Sequence, residues 1–180
     1  KIDSWKEYIW YVSYGSNMLE ERLLCYIEGG CFEDGGSYNE PCQDTTRPLE
    51  KRAINLPYDM YFGNTSGSWN GCGVSFLDTT KEGHALGVAY LITREQFEHV
   101  AAEENCGRFP NGTGYWYENI RNLGEMDGFE MVTITNDELR PYNEPCEEYL
   151  NTLKRGIREN WSEMSEEDID NYLDSCIREF

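Results

Sequence analysis

The chain has 180 residues, of which 34 are acidic and 15 basic, and its net charge at pH 7 is −19. This length predicts a single domain over residues 1–180 that can bury a sizeable core. Because so negative a surface repels phosphate backbones and anionic lipids, neither nucleic acid nor a membrane is expected as a partner. No apolar run reaches the ~20 residues of a membrane span, and the N-terminus lacks the layout of a signal peptide.

The seven cysteines are scattered and form no CxxC pair. An odd, dispersed set predicts neither a disulfide framework nor a zinc site, so the thiols are expected to be reduced in a cytoplasmic protein. A cysteine nucleophile is the rival interpretation, but it needs a base. The only histidines, His84 and His99, come with no local cysteine motif. With no cluster of ligands in the sequence, neither a metal nor a cofactor is expected.

The first structural signal is an apolar, aromatic run over residues 8–14, which predicts a buried strand. A helical pattern follows directly after Gly15 and Ser16, with Asn17 as the predicted N-cap. Gly15 lets other groups approach the backbone closely, and the free N–H groups of the first turn can cradle an anion or a carbonyl oxygen. Such a turn also forms for conformational reasons alone, without any ligand.

The middle of the chain predicts a loop and then a run of strands. Residues 31–48 lack periodicity, which is typical of either a lid or a plain solvated loop. Later stretches alternate or are continuously apolar, and two of them are followed by glycine-containing turns. The predicted strands are 52–62, 73–77, 85–92, 115–120 and 129–135, with turns at 63–68 and 124–128.

A capping box of Thr93 and Gln96 predicts a helix from residue 94 to about 105. One face carries residues at i, i+3, i+4 and i+7 and is expected to point inward. Burial at the end of this apolar face should raise the pKa of a carboxylate there. The face consists of Phe97, Val100, Ala101 and Glu104, whereas Glu103 is expected on the wetter side with Gln96 and His99.

Two amphipathic helices are predicted at the end of the chain, over residues 147–160 and from a cap at Ser165 and Asp168 to the C-terminus. Strands therefore come in runs rather than alternating with helices. This order predicts an α+β fold with a mixed, partly closed sheet flanked by helices.

Four short segments stand in order along the chain. They are Tyr14-Gly15-Ser16-Asn17-Met18, then Phe62-Gly63-Asn64 with Trp69, Gly71 and Gly73, then Gly87-Val88-Ala89-Tyr90, and a helix ending in Ala102-Glu103-Glu104-Asn105. In kind and order these segments resemble the γ-glutamylcyclotransferase family and its AIG2-like relatives. The resemblance covers about residues 8–160, leaves the helix at 165–179 as extra or variable, and implies a partly closed, β-barrel-like sheet.

The resemblance implies that Glu104 is the catalytic acid and base, and that the turn binds the substrate through Tyr14, Gly15, Ser16, Asn17 and Met18. The chain departs from the family at Ala101 and Asn105, where the family has Asp and Gly. The family's substrate-holding tyrosine on the late strand has no counterpart at Val132 or Thr133. Tyr149 matches the tyrosine at the entry to the last family helix and is expected near the pocket or in the core.

The activity that the resemblance implies is release of 5-oxoproline from a γ-glutamyl compound by intramolecular attack of the α-amine. A single glutamate can serve as base and acid in such a reaction, without a metal or cofactor. Two alternatives stay open: a small-molecule-binding module without catalysis, and a cyclotransferase for γ-glutamylamines, peptides or carrier-bound γ-glutamyl groups. The expected partner is a small γ-glutamyl substrate, and a homodimer also stays open.

Overall fold

The computed structural model of the chain describes residues 5–30 and 38–178. Within these residues the strands are β1 Tyr8–Ser13, β2 Lys51–Asn55, β3 Asp59–Ser66, β4 Cys72–Asp78, β5 Leu86–Thr93, β6 Asn119–Met126 and β7 Phe129–Thr135. The α-helices are α1 Glu20–Glu28, α2 Arg94–Glu104, α3 Glu147–Asn160 and α4 Glu166–Cys176. Two single 3-10 turns, Ser16–Met18 and Gly67–Trp69, complete the described elements.

The strands form a mixed five-stranded sheet in the order β2-β5-β1-β7-β6 and a separate hairpin of β3 and β4. β1 runs parallel to β7 and antiparallel to β5. All six residues of β1 are buried, which explains why this strand reads as a continuous apolar run. The predicted α+β class with a mixed sheet flanked by helices is confirmed.

The five-stranded sheet is not closed into a barrel. The β3–β4 hairpin contacts it at the end of β7 without closing it. The hairpin is held to the end of β7 by two bonds of one hydroxyl. Leu77 N donates to Thr135 Oγ1 at 2.9 Å, and Thr135 Oγ1 donates to Leu77 O at 3.3 Å. The partly closed arrangement brings β4 beside β1 and β7, where the candidate site lies.

α2 packs its predicted apolar face against the sheet, since Phe97, Val100 and Ala101 are at most 1% exposed. The capping box of Thr93 and Gln96 is confirmed. The placement of Gln96 on the wetter side was wrong. Its side chain is buried, because its amide donates at 2.8 Å to the carbonyl oxygens of Asp44 and Thr46.

Two predicted boundaries in the middle strands were wrong. The predicted strand 52–62 divides into β2 and β3, because Pro57 interrupts the run and Leu56 N bonds instead to Ala85 O at 2.8 Å. The predicted turn at 63–68 begins too early, since β3 continues to Ser66. The register shifts within β3 where Asn64 adopts a positive φ of 60°, so Gly-Asn forms a bulge instead of a turn.

The predicted strand 115–120 was also wrong in most of its length, because β6 begins at Asn119. Residues 115–118 form a loop whose backbone bonds to side chains. Asn105 Oδ1 accepts from Tyr117 N at 3.0 Å, and Asn136 Nδ2 donates to Trp116 O at 2.8 Å. The turn predicted at 124–128 is shorter than expected, since β6 runs to Met126.

The later elements agree with the sequence. β7 and α3 have the predicted bounds, and α4 has the predicted capping box at Ser165 and Asp168 but ends at Cys176. Of the segment predicted as a loop, residues 31–37 lie outside the described residues, and residues 38–48 are irregular apart from one bridge between Asn39 and Gly30. The cysteines within the described residues are all free thiols, and Cys31 lies outside them.

None of the described helices has the length and apolar character needed to cross a membrane. Among the same residues, no group of three or more His, Cys, Asp or Glu side chains is arranged to hold a metal ion.

Candidate active site

The turn after β1 does not lead straight into a helix. A single 3-10 turn over Ser16–Met18 is followed by Leu19 in an extended conformation, and α1 begins at Glu20. The prediction that Asn17 caps α1 was therefore wrong, because Leu19 occupies the cap position. The turn is fixed from the sheet side, where Tyr90 OH donates to Asn17 O at 2.8 Å and to Met18 O at 3.0 Å.

α3 fixes the same turn from the other side. A Cβ atom at Gly156 would lie only 2.8 Å from Leu19 N, so the absence of a side chain at this position lets the helix approach the turn. Asn160, at the end of α3, donates from Nδ2 to Met18 O at 3.1 Å. The turn is thus held between β5 and α3, and its peptide groups have fixed directions.

Glu104 ends α2 and brings its carboxylate to this turn. Asn17 Nδ2 donates to Glu104 Oε1 at 2.7 Å, and the phenol of Tyr26 also hydrogen-bonds to the carboxylate. Burial raises the pKa of Glu104 above its usual value, as predicted. The charge of Arg22 and the bonds from Asn17 and Tyr26 oppose this rise without cancelling it.

Glu103 makes its contacts away from the turn, although it lines the wider of the two cavities next to Glu104. Its Oε1 accepts from Glu40 N at 3.2 Å and lies 3.9 Å from His99 Nε2. The predicted placement of Glu103 beside His99 is confirmed. The two neighbouring glutamates therefore have different surroundings, and Glu104 alone of the two is bonded to the turn.

The inner pocket is a narrow cavity of about 30 Å³ where the turn, the sheet and α3 meet. Of the predicted substrate-binding residues, Tyr14, Gly15, Ser16 and Asn17 lie on its wall together with Glu104. Met18 does not line the pocket, because its side chain is fully buried in the core. The other walls of the inner pocket come from β1, β4, the 115–118 loop, β7 and α3, through residues 11–13, Ser75, Tyr117, Thr133, Ile134 and Tyr149.

Ser75 connects the two phenols of the inner pocket. Ser75 N donates to Tyr149 OH, and Tyr149 OH donates to Ser75 Oγ, both at 3.1 Å, while Tyr117 OH donates to Ser75 O at 2.9 Å. Burial raises the pKa of Tyr149 to about 12, so its phenol stays protonated. Gly15 packs against this group, since a Cβ there would lie 3.1 Å from Tyr149 OH and 3.2 Å from Ser75 Cβ.

The backbone donors of the turn are fewer than the sequence suggests. Met18 N is bonded to Gly15 O at 3.0 Å, and Gly15 N makes a long contact of 3.4 Å to Ser13 Oγ. The first N–H groups of a helical turn have no partner inside it, and those of Ser16 and Asn17 have no backbone partner elsewhere among the described residues. The turn can therefore offer two backbone donors beside Glu104.

The outer pocket has a volume of about 570 Å³ and shares Ser16, Glu104, Tyr117 and Tyr149 with the inner pocket. Its walls are rich in aromatic side chains that come from α1, from residues 38–39, from the 3-10 turn at 67–69 and from the 115–118 loop. The guanidinium of Arg22 lies 5.1 Å from the centre of the Trp69 ring. These aromatic side chains are Tyr26, Tyr38, Trp69 and Trp116, in addition to the two shared tyrosines.

Sequence reasoning missed several of these residues. Arg22 and Tyr26 lie on the inward face of α1, and an arginine within an apolar face was the one available signal that this face meets a charge. Ser75 and Tyr117 carry no such signal in the sequence. Tyr149, for which a core position and a pocket position were both open, lines the inner pocket. Thr133 lines it too, and its hydroxyl hydrogen is already donated to Val12 O at 2.7 Å.

Comparison with solved structures places this architecture among known folds. A human protein of uncharacterized function has a TM-score of 0.60 and 17% identity, over 93% of this chain and 88% of its own. A γ-glutamyl cyclotransferase has a TM-score of 0.58 and 15% identity, over 93% of this chain and 87% of its own. YkqA from Bacillus subtilis has a TM-score of 0.58 and 17% identity, over 95% of this chain and 55% of its own.

The chain thus has the γ-glutamyl cyclotransferase fold, and the resemblance seen in the sequence is confirmed at the level of the fold. No family model matches the chain. Among curated proteins, histone deacetylase 5 of Arabidopsis thaliana is 27% identical over 214 residues, which cover 98% of this chain. The chain spans about a third of the length of that relative, 32%, so the relative's name describes a much longer protein.

Proposed function

We propose that the chain is a cyclotransferase that releases 5-oxoproline from γ-glutamyl compounds, with Glu104 as the general base and acid. The observation that carries the proposal is the position of the Glu104 carboxylate. It lies where the inner pocket opens into the outer pocket, 2.7 Å from the Asn17 side chain, and burial raises its pKa. The fold shared with a γ-glutamyl cyclotransferase supports the same activity.

In this proposal the two pockets divide the substrate. The small polar end of the γ-glutamyl group enters the narrow inner pocket, with its α-carboxylate at the N–H groups of Ser16 and Asn17. The γ-carbonyl lies at the junction of the pockets, and the leaving group occupies the larger outer pocket. This placement brings the α-ammonium group to Glu104.

The attacking nitrogen loses two protons in the reaction, and the leaving nitrogen gains one. Glu104 takes the first proton from the α-ammonium group and releases it to solvent, and the free amine attacks the γ-carbonyl carbon to form the new C–N bond of the lactam. Glu104 then takes the second proton from the attacking nitrogen and gives it to the leaving nitrogen as the old C–N bond breaks. A raised pKa brings the carboxylate closer to the operating pH, where one group performs both transfers best. The tethered nucleophile supplies the rest of the rate through proximity.

The test is 5-oxoproline release from γ-glutamyl-alanine by the parent chain and by two variants of adjacent residues. Glu104→Gln keeps size and hydrogen bonding but removes the base, so kcat should fall by on the order of 10²–10⁴. Glu103→Gln should keep kcat within a few-fold, and Glu98→Gln, an exposed change on the same helix, is the control. A parental kcat in Glu104→Gln, or loss of 5-oxoproline release in Glu103→Gln, would contradict the proposed mechanism.

The same assay distinguishes the proposed activity from two alternative functions. Tight binding of γ-glutamyl-alanine without any 5-oxoproline would make the chain a binding module. Turnover only of a γ-glutamylamine, a γ-glutamyl peptide or a carrier-bound γ-glutamyl group would keep the mechanism and change the leaving group. A panel of leaving groups on one γ-glutamyl head therefore decides the substrate class.

A further inference from the structure

The side-chain amide of Asn17 has a fixed orientation. Its Nδ2 donates to Glu104 Oε1 at 2.7 Å and to Tyr11 OH at 3.3 Å, which uses both of its hydrogens. Exchanging the oxygen and the nitrogen would place Oδ1 against the Glu104 carboxylate, where two acceptors would face each other. The contact with Glu104 therefore determines where the amide oxygen points.

The amide oxygen of Asn17 has no hydrogen-bond donor among the described residues, although the residue is only 1% exposed. An unpaired acceptor at this depth costs free energy. Asn17 lines the inner pocket, and its backbone carbonyl is already bonded to Tyr90. A rigid turn thus holds one unused acceptor beside the carboxylate that is proposed to act as the base.

We infer that Asn17 is a positioning residue with two tasks: its Nδ2 orients Glu104, and its Oδ1 accepts a hydrogen bond from the α-ammonium group of the substrate. This inference rests on the proposed function. An ammonium group has several N–H donors, so one can bond to Oδ1 while another faces Glu104. A neutral amide oxygen does not take a proton at ordinary pH, so the proton goes to Glu104. The resulting amine keeps its bond to Oδ1 while its lone pair is free to attack.

The inference has a consequence for recognition. A γ-glutamyl group and a glutaryl group differ only in the α-amine, and only the first can satisfy Asn17 Oδ1. A buried acceptor left unpaired disfavours the ligand that lacks the donor. The Asn17 side chain would therefore select acyl groups that carry the nucleophile needed for cyclisation.

The test compares binding of γ-glutamyl-alanine and glutaryl-alanine by calorimetry in the full chain carrying Glu104→Gln. This change slows turnover, keeps an acceptor oxygen for Asn17 Nδ2 and removes the carboxylate's own attraction for the ammonium. The expected preference for the γ-glutamyl compound is about 10–100-fold. Asn17→Leu, added to this background, should reduce the preference to near unity. Asn17→Asp, which keeps the acceptor oxygen, should retain or increase it.

The outcomes separate this inference from the proposed function. If Asn17→Leu keeps the preference, or if Asn17→Asp loses it, the role of Oδ1 is refuted. If γ-glutamyl-alanine does not bind at all before Asn17 is changed, the proposed function itself fails. Should the leucine variant not fold, the aspartate variant still decides, because loss of the preference there overturns the inference and its retention supports it.

The second readout is the pH profile of kcat/KM in chains that keep Glu104. The groups that face this carboxylate come from every element around it; they are Arg22, Tyr26, Tyr11, Tyr117, Tyr149, Glu103 and Asn17. Asn17→Asp replaces a donor by a carboxylate, so the pKa of Glu104 should rise. The acidic limb of the profile, where kcat/KM falls because Glu104 becomes protonated, should then move to higher pH. Asn17→Leu removes the donor without adding charge and should move the limb less. A purely structural role would lower kcat/KM without moving the limb, and an unmoved limb would refute the orienting role.

Discussion

The inner and outer pockets differ in the parts of the fold that build them. The inner pocket is walled mainly by strands, by the turn after β1 and by α3, with Tyr117 as its single contribution from the 115–118 loop. Most of its side chains are buried and hydrogen-bonded. The outer pocket takes much of its wall from connecting segments, among them residues 38–39, 67–69 and 106–107. Side chains on regular elements are positioned more firmly than side chains on loops.

This difference matches the two halves of the proposed substrate. The lactam-forming half is the same in every γ-glutamyl compound, so a rigid pocket suits it. The leaving group varies, and a loop-built wall can change without moving Glu104 or the turn. Substitutions in the inner pocket should therefore affect catalysis strongly, and substitutions in the outer pocket should affect binding of particular leaving groups.

Among the substitutions that test this difference between the pockets, the largest effect is expected from Gly15→Val. Its Cβ would lie 3.1 Å from Tyr149 OH, and the two methyl groups beyond it would fill a cavity of only about 30 Å³. The value of kcat/KM for γ-glutamyl-alanine should fall by about 100-fold or more. Overpacking should also cost about 1–3 kcal/mol of unfolding free energy, measured by chemical denaturation.

The matched control for this prediction is Gly67→Ala in the outer pocket. A Cβ at Gly67 would meet no atom within 4 Å, so the variant should keep stability and kcat. If both glycine variants lose activity equally, the contrast between a packed inner pocket and an open outer pocket is wrong.

The next effect is expected from Tyr149→Phe. The phenol accepts from Ser75 N at 3.1 Å and donates to Ser75 Oγ, so its removal leaves a buried N–H unpaired beside the reacting groups. The expected stability cost is about 1–2 kcal/mol, together with a loss of about 10-fold in kcat/KM through misplacement of the inner wall.

Tyr172→Phe separates these two effects. Tyr172 OH accepts from Leu86 N at 3.0 Å and lies on α4, outside both pockets. This variant should lose similar stability but keep the parental kcat/KM. Equal activity in the two phenylalanine variants would show that the hydroxyl of Tyr149 has no role in the reaction.

The sequence predicted those parts of the molecule in which local and tertiary preferences agree. Periodicity and the capping box place α2 and bring Glu104 to its inward face, and the family resemblance selects the same residue independently. The bounds of β7 and α3 are correct for the same reason, since pattern and burial coincide there. The sequence thus predicted that Glu104 lies next to the turn, and in the structure its carboxylate bonds to Asn17 of that turn.

The failures occur where one side chain can serve two purposes. An Asn before a helix is chemically suited to capping, but the same amide can bond to a distant carboxylate, and at Asn17 the tertiary bond prevails. Gly63-Asn64 is typical of a turn, yet Asn64 N donates to Pro141 O at 3.0 Å and the pair becomes a bulge. Both bonds join residues far apart in sequence, which no local pattern encodes.

Stability as a function of pH should show the cost of burying Glu104. Its pKa in the folded chain is raised above the ordinary value of 4.5, so over the pH window between these two values the folded protein holds a proton that the unfolded chain has lost. The free energy of unfolding of the parent therefore falls as pH rises through that window. The Glu104→Gln variant has no ionisable group at this position, so its free energy of unfolding does not decrease in this way. Its Tm should exceed that of the parent at pH 8, and the difference should shrink towards pH 4.

The control for the pH prediction is Glu98→Gln, an exposed change on the same helix. Its Tm difference from the parent should be small and nearly independent of pH. A difference for Glu104→Gln that grows as the pH falls would mean that the folded state favours the ionised carboxylate. The proposed balance between burial and Arg22 would then be reversed.

The smallest effect is expected at the wall of the outer pocket. His99 Nε2 lies 2.7 Å from Glu40 O, and because a carbonyl oxygen can only accept, this nitrogen carries the hydrogen. Together with Glu103, which accepts from Glu40 N, the histidine attaches residues 38–40 to α2. Tyr38 and Asn39 of that segment line the outer pocket but not the inner one.

His99→Ala should therefore loosen the wall that meets the leaving group while leaving Glu104 in place. For a substrate with a bulky leaving group, KM should rise by about 2–5-fold, which corresponds to one modest hydrogen bond, and kcat should not change. For γ-glutamyl-alanine, whose smaller leaving group meets less of the outer wall, both constants should stay close to parental. His84→Ala is the matched control, since His84 is exposed and lines neither pocket. A fall in kcat for both substrates would show that the wall of the outer pocket also positions Glu104, and the division of the site into a rigid inner pocket and an adjustable outer pocket would not hold.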